Sequence, residues 1–153
     1  MKTASFTIDY DGISRVIISD IAVSDAFDPA SPPESSTYKP FKSLWDTGAT
    51  CTCISSHVAA ELGLVPVGSS VMHTAGGIID TNRYIVNIEL PNKIAFQFVE
   101  VMEAELFETD VLVGMDIITA GDFALSNVDG STTFSFRCPS TKRIDFIGQI
   151  ENK

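Results

Sequence analysis

The apolar run Phe41-Lys42-Ser43-Leu44-Trp45 leads straight into Asp46-Thr47-Gly48 and then Ala49-Thr50. Phe41 to Trp45 reads as a buried strand, so the chain has to deliver a carboxylate from a sheet into a tight glycine turn. An isolated buried charge is costly, and a group placed there has either a partner or a chemical task. The sequence holds one copy of Asp-Thr-Gly and no internal repeat. A fold that satisfies this feature is built from strands, with the aspartate at the mouth of one of them.

The rest of the chain agrees. Phe6, Ile8 and Tyr10 alternate with polar residues, Asp11-Gly12 follows, and Val16 to Val23 is again apolar, which predicts two strands joined by a tight turn. Ser24 to Pro40 turns to Ser, Pro and Asp and reads as a surface loop. Thr52 to Ile54 is extended. Ser55 or Ser56 then caps a short helix carrying Val58, Ala59 and Leu62 and ending at Gly63. Val67 to Thr74 and Ile78 to Leu90 are two β-rich runs around a hairpin tip, Ala75-Gly76-Gly77. Pro91-Asn92 turns the chain into a strand from Ile94 to Met102, and Glu103 to Asp110 is an acidic connection with the character of a solvated face. Val111 to Val113 is a continuous apolar run, as in a strand buried on both sides. Met115 to Ala120 is predicted as a second short helix stopped by Gly121. Phe123–Ser126 and Thr132–Phe136 flank Asp129-Gly130 as a further hairpin. The expected unit is one domain over 1–138, with a weakly patterned tail over 139–153 that packs on the domain or at a subunit interface.

Bulk properties narrow the function. A length of 153 residues with 44% hydrophobic and 20% charged content suits one soluble domain with a sizeable core. A formal net charge of −10 and scattered Lys and Arg argue against nucleic acid as a partner. The longest apolar runs are too short to span a bilayer, and the N-terminal residues lack the apolar centre of a signal peptide, so the expected setting is the cytoplasm, without a membrane. Three cysteines, Cys51, Cys53 and Cys138, do not make a disulfide framework. Cys51, Cys53 and His57 have a spacing that invites a metal, but period-2 thiols on a strand are better read as small hydrophobes. Neither a metal nor an organic cofactor is expected, and His73 reads as a polar residue on a strand.

Asp-Thr-Gly alone is a weak signal. Its context makes it specific: an apolar strand before it, a glycine-tipped hairpin after it, and Val111-Leu112-Val113-Gly114-Met115-Asp116 about sixty residues on. This set resembles the retropepsin-like aspartic proteases, the retroviral-type enzymes and their cellular and bacterial relatives, over roughly residues 41 to 125 and more loosely over the whole chain. The resemblance implies an all-β acid-protease barrel with one or two short helices, active as a homodimer on peptide or protein substrates. It implies peptide hydrolysis by a water held between two Asp46 carboxylates, one from each subunit. Two carboxylates about 3 Å apart cannot both ionise, so the pair supplies a base and an acid at once; aspartic proteases are the standard instance of this effect.

By the same resemblance, Thr47 grips the opposite subunit, Gly48 lets backbone approach substrate and water, and Ala49 and Thr50 line or support the loop. Val113-Gly114 packs beneath that loop. Thr74, Ala75, Gly76 and Gly77 form a flap that closes over substrate and bonds it strand to strand. Asp116 suits a helix N-terminus, and Asp129-Gly130 a turn.

Three features depart from the viral members: Trp45 where smaller aliphatics are usual, the long 24–40 loop, and the hairpin and tail after Gly121. They are closer to the cellular and bacterial branch.

Two other readings stay open. One is a dimeric peptide-binding or scaffold module of the same fold with little or no catalysis. The other is a folded monomer whose assembly depends on conditions. Subunits with this net charge should pair more strongly in mildly acidic or high-salt buffer, because repulsion falls towards the sequence pI of about 4.4.

Overall fold

Period-2 burial organises most of the chain. In β2 (Ile17–Asp25), Ile17, Ser19, Ile21 and Val23 point inwards, and in β3 (Lys39–Trp45) Phe41, Ser43 and Trp45 do the same. The two strands pair antiparallel with Ile17 opposite Trp45 and Val23 opposite Lys39. The fold comes from a computed structural model that describes residues 2–34 and 38–150. Residues 35–37 of the expected 24–40 loop and 151–153 of the expected tail lie outside the described residues.

From β3 the sheet continues through β8 (Val111–Val113), β4 (Cys53–Ile54), β7 (Ile94–Glu103) and β6 (Gly77–Leu90). It closes where Ala22–Asp25 of β2 pairs with Val86–Glu89 of β6. The result is the expected all-β barrel, here of six strands. A seventh strand, β5 (Gly68–Thr74), hangs on β6 as the outer arm of a hairpin. The interior is aliphatic: Val23, Ile54, Val86, Ile88, Val101, Val111 and Val113 are fully buried.

A separate three-stranded sheet, ordered β1 (Ala4–Asp9), β10 (Thr133–Cys138), β9 (Asp122–Ser126), packs against the barrel. It turns Phe6, Phe134 and Phe136 inwards onto Trp45. Ring centroids of Trp45 lie 4.9 Å from Phe134, 5.1 Å from Phe136 and 6.1 Å from Phe6 and Phe123. Tilted and edge-on aromatic pairs of this kind add about 0.5–1.5 kcal/mol each beyond the area they bury. The indole N–H donates to Ser19 Oγ at 2.9 Å. The large residue before Asp46 thus fills the joint between barrel and small sheet.

The expected turn at Asp11-Gly12 is not a hairpin between its neighbours. β1 pairs with β10, while β2 pairs with β3 and β6. Tyr10 N–H donates to Thr132 O and Thr132 N–H to Gly12 O, so the segment extends the β1–β10 ladder before crossing to the barrel. The aromatic faces of β1 and β10 match each other, and that match decides the pairing. The run 111–113 also differs from expectation: Val111 and Val113 are buried, but Leu112 is half-buried.

The helices are short: α1 (Ser56–Leu62), α2 (Met115–Ile118) and α3 (Phe146–Ile150). Ser55 caps α1, accepting from Val58 N–H, and Gly63 closes it at φ 61°. α3 lies in the tail, where the sequence showed little pattern. No helix among the described residues is long and apolar enough to cross a membrane.

Candidate active site

β3 ends at Trp45, and its ladder with β8 hands Asp46 to a fixed place: Asp46 N–H donates to Val113 O at 3.0 Å. The chain then turns. Gly48 N–H donates to Asp46 Oδ1 at 2.8 Å, and Ala49 N–H to Asp46 O at 3.2 Å. This is an Asx turn, so one carboxylate oxygen organises the loop. A Cβ on Gly48 would sit 3.1 Å from that oxygen. Asp46 is half-buried, and Thr47, Gly48 and Thr50 are exposed.

Beneath the loop lies a brace the sequence did not announce. Thr52 is fully buried. Its N–H and hydroxyl donate to the two oxygens of Asp116 at 2.9 and 2.7 Å, and its hydroxyl accepts from Gly114 N–H at 3.2 Å. Asp116 Oδ1 also accepts from Ile117 N–H, and Met115 N–H donates to Ala49 O at 2.8 Å. Gly114 runs so close to Cys51 that a Cβ there would meet the Cys51 carbonyl carbon at 2.5 Å. Asp116 therefore works at the start of α2, where an acid was expected, but it also clamps the strand that follows the Asp46 loop. Thr52 and Asp116 stand 64 positions apart, and nothing local in the sequence links them.

Across from the loop, β5 and β6 form the glycine-tipped hairpin, with Thr74 opposite Gly77. Thr74 Oγ1 donates to Gly77 O at 3.0 Å and accepts from Gly76 N–H at 3.2 Å. Gly77 has φ 124°, a conformation that costs glycine little. Between hairpin and loop runs a cleft of about 550 Å³. Asp46, Gly48, Ala49 and Thr50 line one side; Val71 to Ala75 line the other. Met102, Leu106 and Leu112 supply apolar lining. The fold thus brings Asp46 and its loop to one cleft with Thr74 and Ala75. Val113 and Gly114 are buried, and neither these two nor Thr47, Gly76 and Gly77 line the cleft. A larger groove, about 790 Å³, follows β2 between Ile8, Ile18 and Leu90. Its charged groups are the ion pairs Lys42–Asp20 and Lys93–Glu89, and it contains none of these residues.

Cys51 and Cys53 also line the cleft. Burial pushes the Cys53 thiol up to about 12, with Cys51 and Asp116 as smaller contributors. His57 lies instead on α1, edge-on to the Phe41 ring at 6.3 Å. Among the described residues no three His, Cys, Asp or Glu side chains converge as metal ligands. His73 is exposed on β5 and faces the cleft.

Residues 37–120, more than half of the chain, match the family described as gag-polyprotein putative aspartyl protease, and the chain belongs to that family. No curated protein matches the sequence. Among solved structures, the chain is similar to a retropepsin-like aspartic protease from Rickettsia conorii. The two share 12% identity over 90% of this chain and 95% of that one, with a TM-score of 0.52. It is also similar to EIAV protease complexed with the inhibitor HBY-793. Here identity is 17% over 71% of this chain and 90% of that one, with a TM-score of 0.51. At these identities the likeness is one of fold: the barrel is retropepsin-like.

Proposed function

We propose that the chain is an aspartic endopeptidase whose site forms when two subunits bring their Asp46 carboxylates together. The observation that carries this reading is the placement of Asp46: its carboxylate sits in a cleft faced by a glycine-tipped hairpin, on a loop braced from below. A single carboxylate cannot be base and acid in one step; Glu105, exposed on the β7–β8 connection, is the other acid lining that cleft, and no second aspartate of this chain lines it. The second comes from the partner's copy of the loop, across a two-fold axis.

In this reading a water lies between the two carboxylates. Its oxygen attacks the peptide carbonyl carbon while one proton passes to the ionised carboxylate. The protonated carboxyl gives its proton to the carbonyl oxygen. The tetrahedral adduct then collapses: one of its hydroxyls gives a proton to the ionised carboxylate, the C–N bond breaks, and the proton of the other carboxyl goes to the leaving nitrogen. β5 is an edge strand and offers backbone for an extended substrate. Met102, Leu106 and Leu112 favour apolar substrate side chains.

The test is Asp46→Asn. The amide oxygen can still accept from Gly48 N–H, so the loop keeps its turn while the base is lost. Cleavage of an unfolded protein substrate should fall by about 10²–10⁴-fold or more. Persistent cleavage would reject the mechanism. Saturable peptide binding by the unaltered chain without turnover would replace it with the binding-module reading.

A further inference from the structure

We propose that Glu105 makes the cleft select substrates that carry a lysine or arginine within a few residues of the bond to be cut. The inference rests on the reading of the cleft as a substrate site and names the side chain it prefers.

The floor of the cleft comes first. β4 joins β7 to β8, with Cys53 opposite Met102 on one side and opposite Leu112 on the other. All three line the cleft, so their side chains form one apolar row across three strands. This row accounts for Leu112, half-buried between the fully buried Val111 and Val113. Past Met102 the chain leaves β7 through Ala104, whose N–H donates to Ile54 O at 2.9 Å. Glu105 is the next residue, exposed and lining the cleft. The far end of the connection is pinned too, since Ser55 N–H donates to Asp110 O at 2.8 Å. Backbone bonds at both ends thus place Glu105, and contacts of its own carboxylate do not.

That carboxylate is uncommitted. Its neighbour Glu103 accepts from the Tyr84 hydroxyl at 2.7 Å, whereas the Glu105 carboxylate has no ion pair or hydrogen bond among the described residues. Among those residues no Lys or Arg lines the cleft, and its acids are Asp46 and Glu105. In the proposed mechanism Asp46 meets the peptide bond, which leaves Glu105 to meet a side chain. Ala104, Glu105 and Leu106 also border a second hollow of about 360 Å³, where Glu108 and Asp110 are further acids and again no Lys or Arg is present. An apolar row that ends at a free carboxylate matches lysine and arginine. Their methylene stems lie along apolar surface while the cationic head stays at a wet rim. A guanidinium can also pair with a carboxylate through two parallel N–H···O bonds. Leucine gains only the floor, and an acidic side chain meets like charge.

The experiment digests a peptide library with the full chain and reads the cut sites by mass spectrometry. The library is a denatured bacterial proteome cleaved after glutamate, so Lys, Arg and Asp remain inside its peptides. Lys and Arg should be enriched about threefold to fivefold at one or more fixed positions near the cut, the upper part of what an exposed ion pair supplies. Glu105→Gln should bring that enrichment below about 1.5-fold, and Glu105→Lys should replace it with enrichment of Asp. Asp129→Asn removes the same charge from the exposed turn between β9 and β10, outside the cleft, and should leave the enrichment within about 1.5-fold of its original value. The readout is a ratio between substrates, so a general loss of activity does not mimic it. No Lys or Arg enrichment by the unaltered chain, enrichment that survives Glu105→Gln, or an equal fall in Asp129→Asn would each overturn the inference and leave the protease reading intact. If nothing is cut, the protease reading fails, and the same library is passed over the immobilised chain at about 0.15 M salt. Retention of Lys- and Arg-bearing peptides that Glu105→Gln abolishes and Asp129→Asn keeps would uphold the selectivity of the cleft. Retention that does not distinguish the two variants, or no retention, would overturn it.

Discussion

The two walls of the cleft are held in opposite ways. On the Asp46 side, the backbone is tied across strands by Asp46 to Val113, Met115 to Ala49, and the Thr52 clamp on Asp116 and Gly114. Beneath it Val111, Val113 and Ile117 are buried, and Trp45 is packed among four phenylalanines. On the hairpin side, every residue from Val71 to Asp80 is exposed except the half-buried Met72. Among the described residues, the tip's side-chain hydrogen bonds are its own, through Thr74. Local stability follows buried contacts and protected backbone bonds. The first wall has many such contacts, and the second has few. In the proposed protease, this division would keep the carboxylates fixed and let the hairpin move as substrate enters.

The comparison breaks most visibly at Gly114. Ala there puts a methyl 2.5 Å from the Cys51 carbonyl carbon and 2.6 Å from its oxygen, both backbone atoms that cannot step aside. Gly114→Ala should cost about 3 kcal/mol in denaturant unfolding, as overpacked cores do. A cost below about 0.5 kcal/mol would mean that the loop and β8 are not tightly stacked.

Next in size is the clamp. Thr52→Val removes the hydroxyl that Gly114 N–H and Asp116 Oδ1 both use. It leaves a buried donor unpaired, at a cost of about 2 kcal/mol. Thr52→Ser should recover most of that, because it keeps the hydroxyl. In a double-mutant cycle, Thr52→Val and Asp116→Asn should be non-additive, since they share one network. Additive losses would dissolve the clamp into ordinary packing.

This clamp marks where the sequence stopped being legible. The Asp46 turn, the Val113-Gly114 element, the caps of α1 and the glycines of the hairpin are local signals, each written within a few residues. In the structure Ser55 and Gly63 cap α1, and Thr74 stands opposite Gly77 across the hairpin. Thr52 and Asp116 are individually unremarkable, and only closure of the barrel makes them partners. Trp45 stood out as an oddity because its partners come from β1, β9 and β10, at both ends of the chain. The Asp11-Gly12 turn departs from expectation for the same reason: a turn signal does not say which sheet each arm will join. Asn87 is a further case. Fully buried, it accepts from Phe98 N–H and donates to Phe27 O at the irregularity between β6 and β7. Periodicity alone gives no hint of a polar side chain bridging there.

The smallest effect is expected on the mobile wall, and its size is the point. Gly77 holds φ 124°, where a Cβ is strained even though open space surrounds it. Gly77→Ala should cost about 1 kcal/mol at the hairpin tip. The tip is exposed and self-contained, so the strain can be relieved by local opening rather than by unfolding the barrel. The denaturation midpoint should therefore hardly move, while amide exchange over β5 and the start of β6 rises by about fivefold, the factor that 1 kcal/mol represents. Exchange at Val111–Val113 should stay at its original rate. If Gly77→Ala instead lowers global stability as much as Gly114→Ala, the hairpin is part of the same cooperative unit as the loop. The contrast between a fixed wall and a moving one would then be lost.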